Sequence, residues 1–160
     1  MSVGSRLLEL LDLHQAKYQV VPHDRAPIPH EAARPITMPG RELAKVVVIC
    51  HAGALSLAVL ASHSRVELDR LSAALRDQVS LASEAESASA FTDCEVGAIP
   101  PFGSLYGLKT YLDEALTHER QICFSAGSHT EAICMPFEVY RRIAAPVVLW
   151  FAESPAGAEG

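Results

Sequence analysis

The chain has 160 residues, 49% of them apolar and 20% charged, with a formal net charge of −6. Length and composition are those of one globular domain with a core of its own. The acidic balance excludes a protein that coats nucleic acid non-specifically, because such binding is driven by cation contacts to phosphate, although one end of an RNA could still be held by a small basic patch.

At the N-terminus, Leu7, Leu8, Leu10, Leu11 and Leu13 recur at helical spacing and predict a helix over 4–16. Acids and polar residues lie among these leucines with no small-residue cleavage site after them, so no secretory signal is expected. No apolar run reaches the roughly 18 residues of a membrane helix. Residues 18–21 read as a short strand stopped by Pro22. Four further prolines, at 27, 29, 35 and 39, leave room for little more than one turn near Glu31 to Ala33. Runs at 46–50 and 54–61 predict a hairpin around Gly53, buried on both faces because neither run alternates cleanly. VELDRLSAALRD carries Leu68, Leu71 and Leu75 on one stripe with Asp69 near its start, a helix. VSLAS reads as a strand. SEAESASAF follows as a helix, with Ser83 as cap and Glu86 at the capping-box spacing.

Residues 91–107, FTDCEVGAIPPFGSLYG, carry three glycines, two adjacent prolines and an acid-Cys-acid triplet, more special residues than turning the chain requires. Beyond them LKTYLDEAL, RQICFSAG and TEAICMP read as strands or strand ends, 137–143 as a short helix and PVVLWF as a last strand. One domain over 1–152 is expected, with a frayed tail at 153–160. Helices and strands intersperse without a βαβ period or an internal repeat, giving a mixed α/β or α+β fold class.

The usual catalytic signatures are missing. The seven histidines form no HxH or HExxH pattern, and no metal or cofactor is expected. GxSxG, Walker and GxGxxG motifs are absent. The four cysteines, at 50, 94, 123 and 134, lack CxxC spacing and read as free thiols in a reducing compartment. Acids on both sides of Cys94 disfavour its thiolate, so it reads as a small buried residue. Three features remain. Lys45 heads a very apolar strand, either snorkelling to solvent or aimed into a pocket. The 97–103 stretch, GAIPPFG, is either a tight turn or a stiff backbone whose N–H groups meet an oxyanion. His129, in AGSHTE, is either a solvated turn residue or part of a site.

Taken in order, GRELAKVVVI at 40–49, the 91–107 loop and ICFSAGSHTEAICMPFEVYRRI at 122–143 resemble the YbaK and prolyl-tRNA-synthetase-associated editing domain family, over roughly residues 18–146. The resemblance implies a compact domain around a mostly antiparallel, barrel-like sheet with a pocket on one side. It implies hydrolysis of the ester joining a wrong amino acid to the 3′ end of a tRNA. The partners would be the acceptor end of a mischarged tRNA and an aminoacyl-tRNA synthetase, in the cytoplasm, without metal, cofactor or membrane. Lys45 stands at the family's lysine and would anchor the terminal phosphate or the substrate carbonyl. Gly97 and Ala98 would form the oxyanion site, while a ribose hydroxyl of the substrate orients the water. His129 falls in the late motif, where members vary, and would line the pocket or contact the nucleotide. Ile28, His30 and Phe102 would wall the amino-acid pocket, with Gly103 and Ser128 beside the substrate, and Arg25, Arg41 and Lys45 would form a local basic patch. The expected substrate carries a small amino acid such as alanine, cysteine or serine, with tRNA for proline the first to try. Val46 departs from the small polar residue that often follows the lysine. The rival reading is a non-catalytic module of the same fold that binds a nucleotide or a synthetase; a thiol enzyme centred on Cys94 is a third. The oligomeric state is not fixed by the sequence.

Overall fold

The computed structural model describes residues 3–22, 43–95, 97–128 and 130–153. Helix α1 (Val3–Leu13) leads to strand β1 (Gln19–Pro22). Strands β2 (Ala44–His51) and β3 (Ala54–Ala61) then pair antiparallel from Ala44↔Ala61 to His51↔Ala54. The two residues between them, Ala52 and Gly53, have φ of 54° and 76°. Two positive φ values are what the tightest hairpin turn needs to match the twist of its strands. Next come β4 (Arg65–Val66), α2 (Leu68–Leu75), β5 (Ser80–Leu81) and α3 (Glu84–Ala90). The Ser83 hydroxyl accepts from the Glu86 N–H at 3.0 Å, and the Glu86 carboxylate accepts from the Ser83 N–H at 2.8 Å, completing the expected capping box.

After the 91–107 loop, β6 (Lys109–Asp113) runs into a 3-10 turn (Glu114–His118) where the sequence reading continued the strand. β7 (Gln121–Ser125), β8 (Glu131–Pro136), α4 (Phe137–Ala144), β9 (Val147–Leu149) and β10 (Ala152–Glu153) complete the chain. The strands form three sheets, ordered β5-β2-β3-β6-β9, β1-β8-β7 and β10-β4. Most ladders are antiparallel, but β3–β6 and β6–β9 run parallel, and among the described residues the sheets do not close into a barrel. The class is mixed α+β.

Two apolar clusters lie on the two faces of the large sheet. Val59 joins Leu7 and Leu11 of α1, Phe124 of β7 and Tyr140 of α4, while Ala58 and Leu60 join Ile49, Leu71 and Phe151. β3 is thus buried on both faces, which is why its sequence does not alternate. Asp113, 2% exposed, ends β6 by accepting from the N–H groups of Phe151 at 2.8 Å, Ala152 at 2.9 Å and Ala115 at 3.1 Å. No helix among the described residues is long and apolar enough to cross a membrane.

The expectation of four free thiols is corrected at one pair. Cys123 and Cys134 face each other in the β7–β8 register, with Cα atoms 4.1 Å apart, and are joined as a disulfide. Cys50 and Cys94 are free. Pairing here is a product of strand register, which cysteine spacing along the chain does not reveal.

Candidate functional site

The 91–107 loop divides into a half that packs and a half that faces open space. In the packed half Phe102 is 0% exposed, its ring 5.5 Å from Phe124 and 5.1 Å from Tyr140 in edge-to-face contacts. The Tyr140 hydroxyl donates to the Pro101 carbonyl at 2.8 Å, and the Gly103 N–H donates to Thr110 Oγ1 at 2.9 Å. A Cβ on Gly103 would lie 2.4 Å from the Leu108 carbonyl oxygen. Phe102 and Gly103, expected beside the substrate, are therefore seated in the core. This half of the loop is glycine- and proline-rich because it is threaded under α4.

The other half surrounds Gly97. Its φ is +80°, a conformation open to glycine at little cost. The Ala98 N–H donates to the Glu95 carbonyl at 3.0 Å, closing a turn with Gly97 inside it. Gly127, between β7 and β8, also has positive φ, at +97°. Its N–H donates to the Ala98 carbonyl at 2.9 Å and its carbonyl accepts from the Glu95 N–H at 2.8 Å. Two segments thirty residues apart in sequence are thus stitched backbone to backbone on either side of Gly97. Ser128 follows, half-buried, its hydroxyl 3.1 Å from that of Thr130.

Gly97 opens on a cavity of about 640 Å³. Val46 and Val48 of β2 and Ile99 give it an apolar floor; Cys94, Glu95 and Gly97 form the loop wall. The opposite wall is α3, through Glu84, Ser87 and Ala88, a helix with no buried residue of its own. Burial pushes the Cys94 thiol pKa up, so the sulfur facing the cavity is protonated and unsuited to nucleophilic attack.

Lys45 takes a different place. Side chains alternate across β2, so Val46 and Val48 look into the cavity while Lys45 shares the opposite face with Val47 and Ile49 and stands across from Leu60. Burial lowers its pKa from the ordinary lysine value. β5 pairs with β2 only at Ile49 and Cys50, and on that edge Leu43, two residues before Lys45, bridges in parallel to Cys123 of β7. Ile28, His30, His129 and the basic residues Arg25 and Arg41 lie outside the described residues. Sequence reasoning missed the α3 wall; its signal was there, in a capped helix of small residues, SASA, placed directly before the loop. Among the described residues no three His, Cys, Asp or Glu side chains converge as a metal site.

A family model for the aminoacyl-tRNA editing domain matches residues 23–143. No curated protein matches the chain. Among solved structures, a candidate trans-editing enzyme for prolyl tRNA synthetase superposes with a TM-score of 0.82 at 17% identity, covering 96% of this chain and 99% of that one. A structure from work on computational grafting of epitope backbones onto scaffold proteins gives 0.80 at 20% identity, over 95% of this chain and 98% of that one. A candidate signal transduction protein from Marinobacter aquaeolei gives 0.73 at 18% identity, over 98% of this chain and 32% of that one.

Proposed function

Since the chain belongs to the aminoacyl-tRNA editing domain family, we propose that it is a trans-editing deacylase, hydrolysing the ester between a wrongly attached small amino acid and the 3′ end of a tRNA. One observation carries the reading: the turn holding Gly97 is fixed on both sides by backbone hydrogen bonds to Gly127 and opens on a cavity with an apolar floor. An aminoacyl ester is an activated bond, so a site that positions water and stabilises charge needs no strong nucleophile. The amino-acid side chain lies over Val46 and Val48, and the carbonyl oxygen meets the Gly97 N–H. Ala98 was expected to share that duty, but its N–H is engaged by Glu95, so Ala98 serves as the rigid shoulder of the turn. Water adds to the carbonyl carbon, with a substrate ribose hydroxyl orienting it. The bond to the ribose oxygen then breaks, and that oxygen leaves with a proton.

Lys45 acts as an anchor for a phosphate of the acceptor end. Proton transfer is not its task, because its geometry faces away from the ester. His129 and Ser128, beside Gly127, contact the terminal nucleotide. The substrate places the protein in the cytoplasm, with a synthetase as the natural supplier of mischarged tRNA. Selection among small side chains rests on the cavity's shape, since one methylene is worth only about 1–3 kcal/mol in binding.

The test is deacylation of alanine, cysteine and serine from tRNA for proline and from a wider set, by the wild type and by Gly97→Val. Release of one amino acid, slowed about 10²-fold in the variant, is the expected result. Flat traces from folded wild-type protein across the whole set would sink the reading and leave a module that binds without hydrolysing.

A further inference from the structure

Arg6, on α1, lies outside the 23–143 span matched by the editing-domain model, yet it grips that domain's loop at three points. Its Nη1 donates to Asp93 Oδ2 at 2.8 Å, and its Nη2 donates to the Leu105 carbonyl. The guanidinium carbon sits 5.1 Å from the centre of the Tyr106 ring, a cation–π arrangement. The other Asp93 oxygen, Oδ1, accepts from the Tyr106 hydroxyl at 2.9 Å. With that proton committed to Asp93, the Cys94 thiol, 3.0 Å from the Tyr106 oxygen, becomes the donor to it. Burial and its neighbours push the Tyr106 pKa up, which keeps the hydroxyl available for this chain. The path therefore runs from α1 through Asp93 and Tyr106 to Cys94 in the cavity wall, three residues before Gly97. Phe91 closes the same corner, its ring 4.6 Å from that of Tyr106.

Holding α1 in place does not require this cluster. Leu7 and Leu11 are 0% exposed in the main core. The Arg6–Asp93 pair keeps 33% and 20% of its side-chain surface exposed, and such pairs add little to global stability. What the cluster does fix is the first half of the loop, which no strand ladder holds.

We propose that Arg6, Asp93 and Tyr106 are positioning residues: Arg6, from outside the matched editing domain, clamps Asp93 and Tyr106 within it and so sets the Cys94 wall and the presentation of Gly97. The consequence for catalysis rests on the deacylase reading; the clamp itself does not. The experiment uses the full chain as wild type, Arg6→Ala, Arg6→Lys and Tyr106→Phe, with amide hydrogen exchange and steady-state deacylation measured on the same preparations. In Arg6→Ala, peptides within 91–107 should exchange about ten-fold faster while peptides from β3 do not change. Deacylation kcat should fall about 10- to 100-fold with KM for the tRNA little altered. Arg6→Lys restores part of both effects. Tyr106→Phe, which keeps the ring and loses only the hydroxyl, gives a smaller loss and stands in should Arg6→Ala fail to fold. Unchanged exchange in the loop overturns the clamp, and a loosened loop with unchanged kcat in an active enzyme overturns its positioning role in catalysis. A loosened loop in a protein whose wild type hydrolyses no ester leaves the clamp standing and removes the deacylase reading instead.

Discussion

Lys45 and Gly103 illustrate how far a single residue speaks for itself. A lysine at the head of an apolar strand is anomalous in any sequence, and burial does depress its pKa. What the letter could not give was the direction of the side chain, which strand parity sends away from the cavity. Burying the charged form costs stability, and the sign follows. Between the lowered folded value and the ordinary 10.5, the unfolded chain still holds the proton that the folded one has shed, so stability rises with pH through that window. Below it the full penalty remains. Lys45→Met should therefore raise Tm at pH 7 and lose that advantage as the pH approaches the ordinary lysine value. It should at the same time weaken tRNA binding, the trade expected of a functional residue held at a cost to stability. Thermal melts at the two pH values, paired with a binding curve, check both halves. Gly103 makes the opposite point. As a glycine in a special loop it read as a contact to substrate, and only the 2.4 Å approach of a hypothetical Cβ to Leu108 reveals a packing constraint.

Among the elements, those specified by neighbouring residues were legible: the leucine stripe of α1, the hairpin around Gly53 and the capping box of α3. Those specified by distant partners were not. β4 and β10 have two residues each and exist only because they pair with one another. The disulfide depends on the register of β7 against β8, and the α3 wall depends on where the following loop returns. Asp113 belongs to this second group, an acid in a strand-end sequence that proves to organise the segment at Phe151 and Ala152. Asp113→Ala leaves three backbone donors without their acceptor. It should cost about 3–5 kcal/mol, since a buried unsatisfied group costs about 1–3 kcal/mol and part of the site can rehydrate. Chemical denaturation reads the loss directly. An unchanged midpoint would show that water replaces the carboxylate at little cost.

For the molecule as a whole, the succession of helices and strands gave the fold class, and the ordered trio of motifs gave the family; the three-sheet arrangement with its two parallel ladders required the structure. On the deacylase reading, a chain of net charge −6 that acts on the acceptor end is expected to touch few phosphates. The dependence of log K on log salt should then be shallow, with a slope of about −1 to −2, where each phosphate contact on a single strand contributes about −0.7. A titration across a range of salt measures it. A slope several times steeper would mean that a broad basic surface, and not the acceptor end alone, carries the interaction.

The α3 wall has a bearing on how such a protein changes over generations. Because no residue of α3 is buried, substitutions at Ser87 or Ala88 redraw one side of the cavity while leaving both apolar clusters untouched. On the deacylase reading, selectivity and folding are thereby written in separate parts of the chain. A lineage under pressure to reject a different amino acid can explore bulk and polarity along this helix without first acquiring stabilising changes elsewhere. A laboratory library restricted to the same wall would inherit that freedom.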